Sequence, residues 1–163
     1  MGKTEFEQDT AAKRISPGQF EIELSERWWI GRGPNGGYVA ALMLRAMTAE
    51  AAFSDAGPIP VRSLNVHFLR PPEAGPAAIE VTIEHAGHVT AFLSARMIQG
   101  GEVKAKAMAV FSDEREGPDF NCSVMPEVPG PDELDEWDTE QAPVAVFGRY
   151  RAKFIKGFPG EDA

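Results

Sequence analysis

The sequence predicts an α+β fold in which an antiparallel sheet wraps around one apolar helix, and three observations lead there. From Tyr38 to Met47 the only charged residue is Arg45, so apolar side chains cover nearly every face of that segment. A helix of that kind is normally surrounded by protein. Four strand-like stretches follow it with no second helix between them. Two of their connections, Ala86-Gly87 and Gly100-Gly101, are far too short for a parallel crossover and so make antiparallel hairpins.

The elements follow in order. Residues 1–18 form a polar N-terminal segment. In "QFEIELS" (19–25), Phe20, Ile22 and Leu24 alternate with polar neighbours, the period of a half-buried strand. The helix is expected over Gly37–Phe53 and stops before the turn-forming "SDAGPIP". In "VRSLNVHFL" (61–69), Leu64, Val66 and Phe68 share one face, and Ser63, Asn65 and His67 share the other. "AIEVTIEH" (78–85) sets Ile79, Val81 and Ile83 together in the same way. "HVTAFLSARMIQ" (88–99) is expected to turn Val89, Ala91, Leu93 and Ala95 to the core, and "EVKAKAMAVFS" (102–112) closes the module. Residues 113–142 are acidic, proline-rich and without period, which reads as a linker. Residues 143–163 carry one more strand-like piece, "VFGRYRAKFIKG". One apolar helix held by such a sheet over 19–112 is the outline of a hotdog fold.

Composition narrows the function classes. No apolar run reaches the roughly 18 residues of a membrane span, and the polar start "MGKTEFEQDTAAKRISPGQ" carries no leader-like apolar core. The single cysteine, Cys122, has neither an intrachain partner nor metal-ligand spacing around it, so a cytoplasmic setting and no metal are expected. The net charge of −9 disfavours nucleic acid as a partner, but it is unevenly placed. Residues 1–112 hold 11 Lys/Arg against 12 Asp/Glu, whereas residues 113–163 hold 5 against 13. The body is therefore near neutral and can offer a local basic patch to an anionic ligand.

"GRGPNG" (31–36) spells G-x-G-x-x-G before a helix, with Asp55 about 20 residues further on, as in a dinucleotide site. The context argues against it. A dinucleotide fold needs a parallel strand after the helix, and Pro34 removes a backbone N–H inside the turn where a pyrophosphate needs donors. No cofactor is expected. The glycines are instead read as letting the chain turn sharply and the helix start enter a narrow sheet.

Three segments with matching spacing, "WWIGRGPNGGYVAALMLRA", "VRSLNVHFLRPP" and "GHVTAFLSARMIQGGEVKAKAMAVFS", resemble the first half of the acyl-CoA thioesterase II family. The likeness runs unbroken over about residues 20–112, and "VFGRYRAKFIKG" resembles the first strand of that family's second module. The resemblance implies tandem hotdog modules, an acyl-CoA substrate, and a catalytic Asp, Thr or Ser, and Gln on the second module. None of those three has a counterpart in this sequence, and residues 37–48 hold no carboxylate. Weak or absent hydrolysis is therefore expected. A non-catalytic acyl-CoA or acyl-carrier binding module is the alternative; a hotdog hydratase would need a catalytic His or Asp beside the helix.

Candidate residues divide into two sets. Asn35 either orients water or caps the helix. His67 is an acid–base candidate by residue type but sits on the strand face opposite Leu64. Thr90 begins the strand after the Gly87 turn; these three are the catalytic candidates. The substrate-binding candidates are Gly36, Gly37 and Tyr38 at the helix start, Arg70 for CoA phosphates, and His88 at the turn. Trp28 and Trp29 either line an acyl tunnel or bury area. A lone module leaves a sheet edge, so a homodimer through edge pairing is expected, with 88–99 as the edge.

Overall fold

A computed structural model describes residues 2–118, 120–137, 139 and 144–155. The half-buried strand expected from Phe20, Ile22 and Leu24 is β2 (Gln19–Leu24), and the three side chains are 2%, 5% and 2% exposed. Ahead of it stand two elements that the sequence reading leaves as a polar segment: a one-turn helix α1 (Glu5–Asp9) and a strand β1 (Lys13–Ser16). Thr4 and Glu7 close a reciprocal capping box around the start of α1. The β1–β2 turn depends on Gly18. Its φ is +70°, and a Cβ there would stand 2.5 Å from the Val81 carbonyl oxygen.

A two-residue ladder of β3 (Trp29–Ile30) and β4 (Gly33–Pro34) leads into the long helix α2 (Gly36–Ala51). Strands β5 (Val61–Phe68), β6 (Gly75–Ala86), β7 (Thr90–Gln99) and β8 (Glu102–Ser112) follow. The main sheet has six strands, all antiparallel, in the order β1-β2-β6-β7-β8-β5. Gly100 and Gly101 have φ of +60° and +78°, the backbone a two-residue hairpin needs to join β7 to β8. This is the α+β hotdog architecture that the sequence predicts.

Packing explains why the helix lies where it does. Tyr38, Val39, Leu42, Met43, Ala46, Met47, Glu50 and Ala51 form the buried stripe of α2, recurring every three or four residues. Beneath it the sheet presents, among larger buried residues such as Leu93, Met97 and Phe111, five alanines: Ala91, Ala95, Ala105, Ala107 and Ala109 are all 2% exposed or less. Short side chains on the sheet let the helix approach closely, and long ones on the helix fill the remaining space. The opposite strip of α2 is not enclosed, because Ala41, Leu44 and Ala49 are half-buried and Arg45 and Thr48 exposed. The apolar character on nearly every face therefore overstates how far the protein surrounds this helix.

Two expectations about the sheet are corrected. The segment 88–99 is not an edge: β7 pairs with β6 on one side and β8 on the other. The edges are β1 and β5. Val89 does not face the core but is 44% exposed, since it belongs to the turn before β7, whereas Ala91, Leu93 and Ala95 are buried as expected. Beyond β8, residues 113–118 and 120–129 are exposed and without regular structure. The chain then returns. Ala145–Arg149 is a 3₁₀ turn, not the expected strand, with Val146 1% exposed and Tyr150 edge-on to Trp28. Residues 156 and 157 of that expected strand lie outside the described residues.

Candidate functional site

The start of α2 is built by Asn35. Its side-chain oxygen accepts the N–H groups of Gly37 (2.8 Å) and Tyr38 (3.2 Å). Its own N–H donates to the Trp28 carbonyl at 2.7 Å. Of the donors that a helix start leaves unsatisfied, only the Gly36 N–H is not taken up in this arrangement. Asn35 is therefore the helix cap, and Gly37 is glycine because a Cβ there would meet the Asn35 oxygen at 3.0 Å. Replacing Asn35 with alanine is expected to cost about 1 kcal/mol. In a thermal melt this would read as a fall of roughly 2–4 °C; an unchanged midpoint would show that the cap contributes nothing.

Against this helix start lies a cleft of about 370 Å³. Gly33, Pro34, Gly36 and Val39 form one wall, and Phe68, Leu69, Arg70, Pro71 and Pro72 form the other. The walls close on each other at two glycines: a Cβ on Gly33 would stand 3.3 Å from Pro71 Cβ, and one on Gly36 would stand 3.2 Å from the Phe68 ring. Arg70 is the single charged residue of the lining. Its guanidinium donates to Glu102 at 2.8 Å in an exposed pair, the kind that adds little stability and leaves the cation available to an anion. The Glu102 carboxyl is held below the usual range, first by the hydrogen bond from Lys104 and then by the nearby Arg70 charge.

The structure gathers Asn35, Gly36, Gly37 and Arg70 at this end of the module and separates the other candidates from it. Tyr38 is 2% exposed; its hydroxyl accepts the Ser25 N–H (3.1 Å) and donates to the Asp9 carbonyl (3.0 Å), so it is a core residue and burial pushes its pKa up. Trp28 stacks on it at 5.6 Å and donates its indole N–H to Asp9, so it too is a core residue that buries area. His67 pairs across the sheet with Lys106 while Val66 pairs with buried Ala107, which puts His67 on the face away from α2. Thr90 lies seven residues along β7 from Met97, whose row reaches Phe68 through Ala105. At roughly 3.3 Å per residue that is about 23 Å of strand. His88 lies farther still along the chain, in the exposed turn before Thr90.

Phe68, Leu69 and the two prolines belong to the site but are not among the sequence candidates. Their signal is "FLRPP", an apolar pair and a cation followed by two prolines, at a strand end. Among the described residues that line the cleft there is no carboxylate, histidine or hydroxyl. The arrangement can hold an apolar group beside a cation; it contains no general base. A larger groove of about 640 Å³ lies between α1 and the outer strip of α2, from Lys3 and Phe6 to Arg45 and Thr48. It holds none of the candidate residues. No helix among the described residues is long and apolar enough to cross a membrane, and no group of three or more metal-ligating side chains occurs among them.

Comparison with known proteins relates the fold to others. A hot dog fold protein from Alicyclobacillus acidocaldarius superposes with a TM-score of 0.85 at 28% identity, over 96% of this chain and 57% of that one. An acyl-CoA thioesterase II from Mycobacterium marinum shares the fold with a TM-score of 0.65 at 23% identity, over 83% of this chain and 49% of its own. An uncharacterized protein of Mycobacterium tuberculosis is 30% identical over 97 residues, 58% of this chain and 33% of that protein. This chain thus spans about a third of the length of the curated relatives it matches. A family model described as "Acyl-CoA thioesterase N-terminal domain" matches residues 24–112, from the end of β2 to the end of β8. Over more than half its length, then, the chain belongs to the acyl-CoA thioesterase family, as its N-terminal domain.

Proposed function

We propose that this module binds the thioester end of an acyl-CoA in the cleft between the start of α2 and the end of β5. The observation that carries the reading is an apolar cleft with one cation, Arg70, inside the segment that matches the family. The acyl group meets the apolar walls, the Gly36 N–H faces the thioester carbonyl, and Arg70 faces the CoA phosphates. Activation of water is left to groups outside the cleft, so the module binds better than it hydrolyses. A non-catalytic acyl-CoA binding role is favoured by the same lack of a base. The setting is cytoplasmic acyl-thioester metabolism, to which the free thiol of Cys122 is suited.

The partner is a second copy, and the pairing edge is β5. β1 is short and bears Lys13 and Arg14, features that discourage pairing. β5 is twice as long, and Val61, Phe68 and Leu69 on and beside it are 37%, 57% and 51% exposed. A two-fold axis perpendicular to β5 pairs the strand antiparallel with its copy and joins two sheets.

Calorimetric titration of the purified chain with octanoyl-CoA and with CoA tests the reading. Octanoyl-CoA is expected to bind at least tenfold more tightly, each buried methylene adding about 0.8 kcal/mol, with turnover close to the uncatalysed rate. Equal affinities would remove the acyl cleft from the account, and fast turnover would show that a base has been missed. Sedimentation velocity on the same sample is expected to give a dimer; a monomer at every concentration would overturn the β5 pairing.

A further inference from the structure

Phe68 behaves unlike the residues that share its face. Leu64 and Val66 are half-buried and its cross-strand partner Ala105 is 2% exposed, yet Phe68 is 57% exposed. The ring reaches over the start of α2: a Cβ on Gly36 would stand 3.2 Å from its Cζ, 3.5 Å from Cε2 and 3.8 Å from Cε1. The far end of the ring therefore rests on the Gly36 backbone, a seat that only glycine offers without displacing it. Gly36 and Phe68 both line the cleft.

Full burial of a phenylalanine side chain stabilises a fold by about 1.5–3 kcal/mol, and a ring more than half exposed forgoes much of that. Phe68 is also the last residue of β5, an edge strand of the sheet among the described residues. Two properties thus coincide in one side chain: it fills the space beside Gly36, and more than half of its surface is open.

We propose that Phe68 is a size gate, its ring occupying the space that an acyl group enters and so setting how large a group reaches the start of α2. The proposal rests on the acyl-CoA reading above. Entry of the acyl group exchanges one apolar contact on Gly36 and Val39 for another, so the rotation of the ring costs little and scales with the size of the entering group. Short acyl groups share the cleft with the ring, and longer ones displace it. CoA without an acyl group does not meet the ring.

Titration of the chain and its Phe68→Ala and Phe68→Trp variants with CoA, butyryl-CoA and octanoyl-CoA tests this. Phe68→Ala is expected to bind octanoyl-CoA about tenfold more tightly than the unaltered protein, the equivalent of roughly two further buried methylenes. Phe68→Trp is expected to bind it about tenfold more weakly, and CoA itself is expected to bind all three proteins alike. If the unaltered chain prefers acyl-CoA over CoA and both variants keep the same ratios among the three ligands, the gate is overturned and the acyl-CoA reading stands. If no form binds any acyl-CoA, the acyl-CoA reading falls and takes the gate with it. Binding of octanoyl-CoA only by Phe68→Ala supports a ring that is closed at rest. A change in sedimentation without a change in ligand ratios would assign the ring to the subunit interface and overturn the gate. Should Phe68→Ala fail to fold, Phe68→Leu also removes the ring end that rests on Gly36 and carries the same expectation in smaller measure.

Discussion

Truncating Leu42 to alanine is expected to lower the unfolding free energy by about 3–4 kcal/mol, in the range seen when a fully buried leucine leaves a cavity that its surroundings cannot fill. Leu42 is 0% exposed in the middle of the buried stripe of α2. The sheet beneath contributes alanines at 91, 95, 105, 107 and 109, which have no reach, beside Leu93, Met97 and Phe111, which are themselves buried in the same core. A domain has only about 5–15 kcal/mol of net stability, so this one change removes a large share of it. Leu44→Ala is the matched control. Leu44 lies on the half-buried outer strip and is expected to cost about 1 kcal/mol. Urea titration of the two variants checks the contrast through their midpoints, and equal losses would mean that α2 does not present a single face to the sheet.

The second large effect is expected at the far end of the same helix. Glu50 is 5% exposed and takes two hydrogen bonds from Arg14, Nε to Oε2 at 2.8 Å and Nη2 to Oε1 at 3.2 Å. The guanidinium also lies 4.1 Å over the Phe53 ring. This pair fastens the edge strand β1 to the last turn of α2. Arg14→Met keeps much of the side chain's apolar bulk but takes the guanidinium away from the Glu50 carboxylate, and a clear loss of stability is expected at neutral pH. The sign of the pH dependence follows from Glu50. The hydrogen bond from Arg14, the largest cause, holds its folded pKa below the ordinary value of 4.5. The pair's contribution is thus fully present above that value and is lost as pH falls through the folded pKa. In Arg14→Met burial acts on the carboxyl without the guanidinium to oppose it, so the group takes up a proton at higher pH. Denaturant titrations at a series of pH values should therefore show the gap between the two proteins shrinking on acidification. A gap that widens toward acid would contradict the assigned roles.

Much of the fold is legible in short stretches because short-range periodicity decides it. The alternation in "QFEIEL" is the alternation of burial along β2, and Gly100-Gly101 supplies the positive φ values that its hairpin requires. β1 escapes such a reading for a physical reason. "KRIS" offers one apolar residue, Ile15, which is 51% exposed, and the strand exists through its pairing with β2 and the Arg14–Glu50 contact, 36 residues apart in sequence. The glycine-rich loop shows the same division. Its sequence identifies a sharp entry into a helix and, through Pro34, argues against a phosphate cradle. What each glycine accommodates is visible only once Pro71 and Phe68 lie opposite Gly33 and Gly36.

By itself, the sequence determined the antiparallel module around one apolar helix, the inward-facing residues of β2 and β6 and of β7 from Ala91 on, and the likeness to the thioesterase family that residues 24–112 bear out. Only the tertiary structure decided which strand is the edge and which candidate residues meet. A strand's alternation specifies its two faces but neither its neighbours nor the end of the sheet nearest the helix start. β7, long enough to suggest an edge, lies inside the sheet because β8 returns beside it and β5 closes the far side. His67 is one residue from Phe68, yet the pleat turns it to the opposite face of the sheet. Thr90 has a suitable side chain, but it lies at the end of the sheet remote from Gly36. Asn35, Gly36, Phe68 and Arg70 come together because a 16-residue helix and the antiparallel return of the chain bring two distant segments to one end of the module.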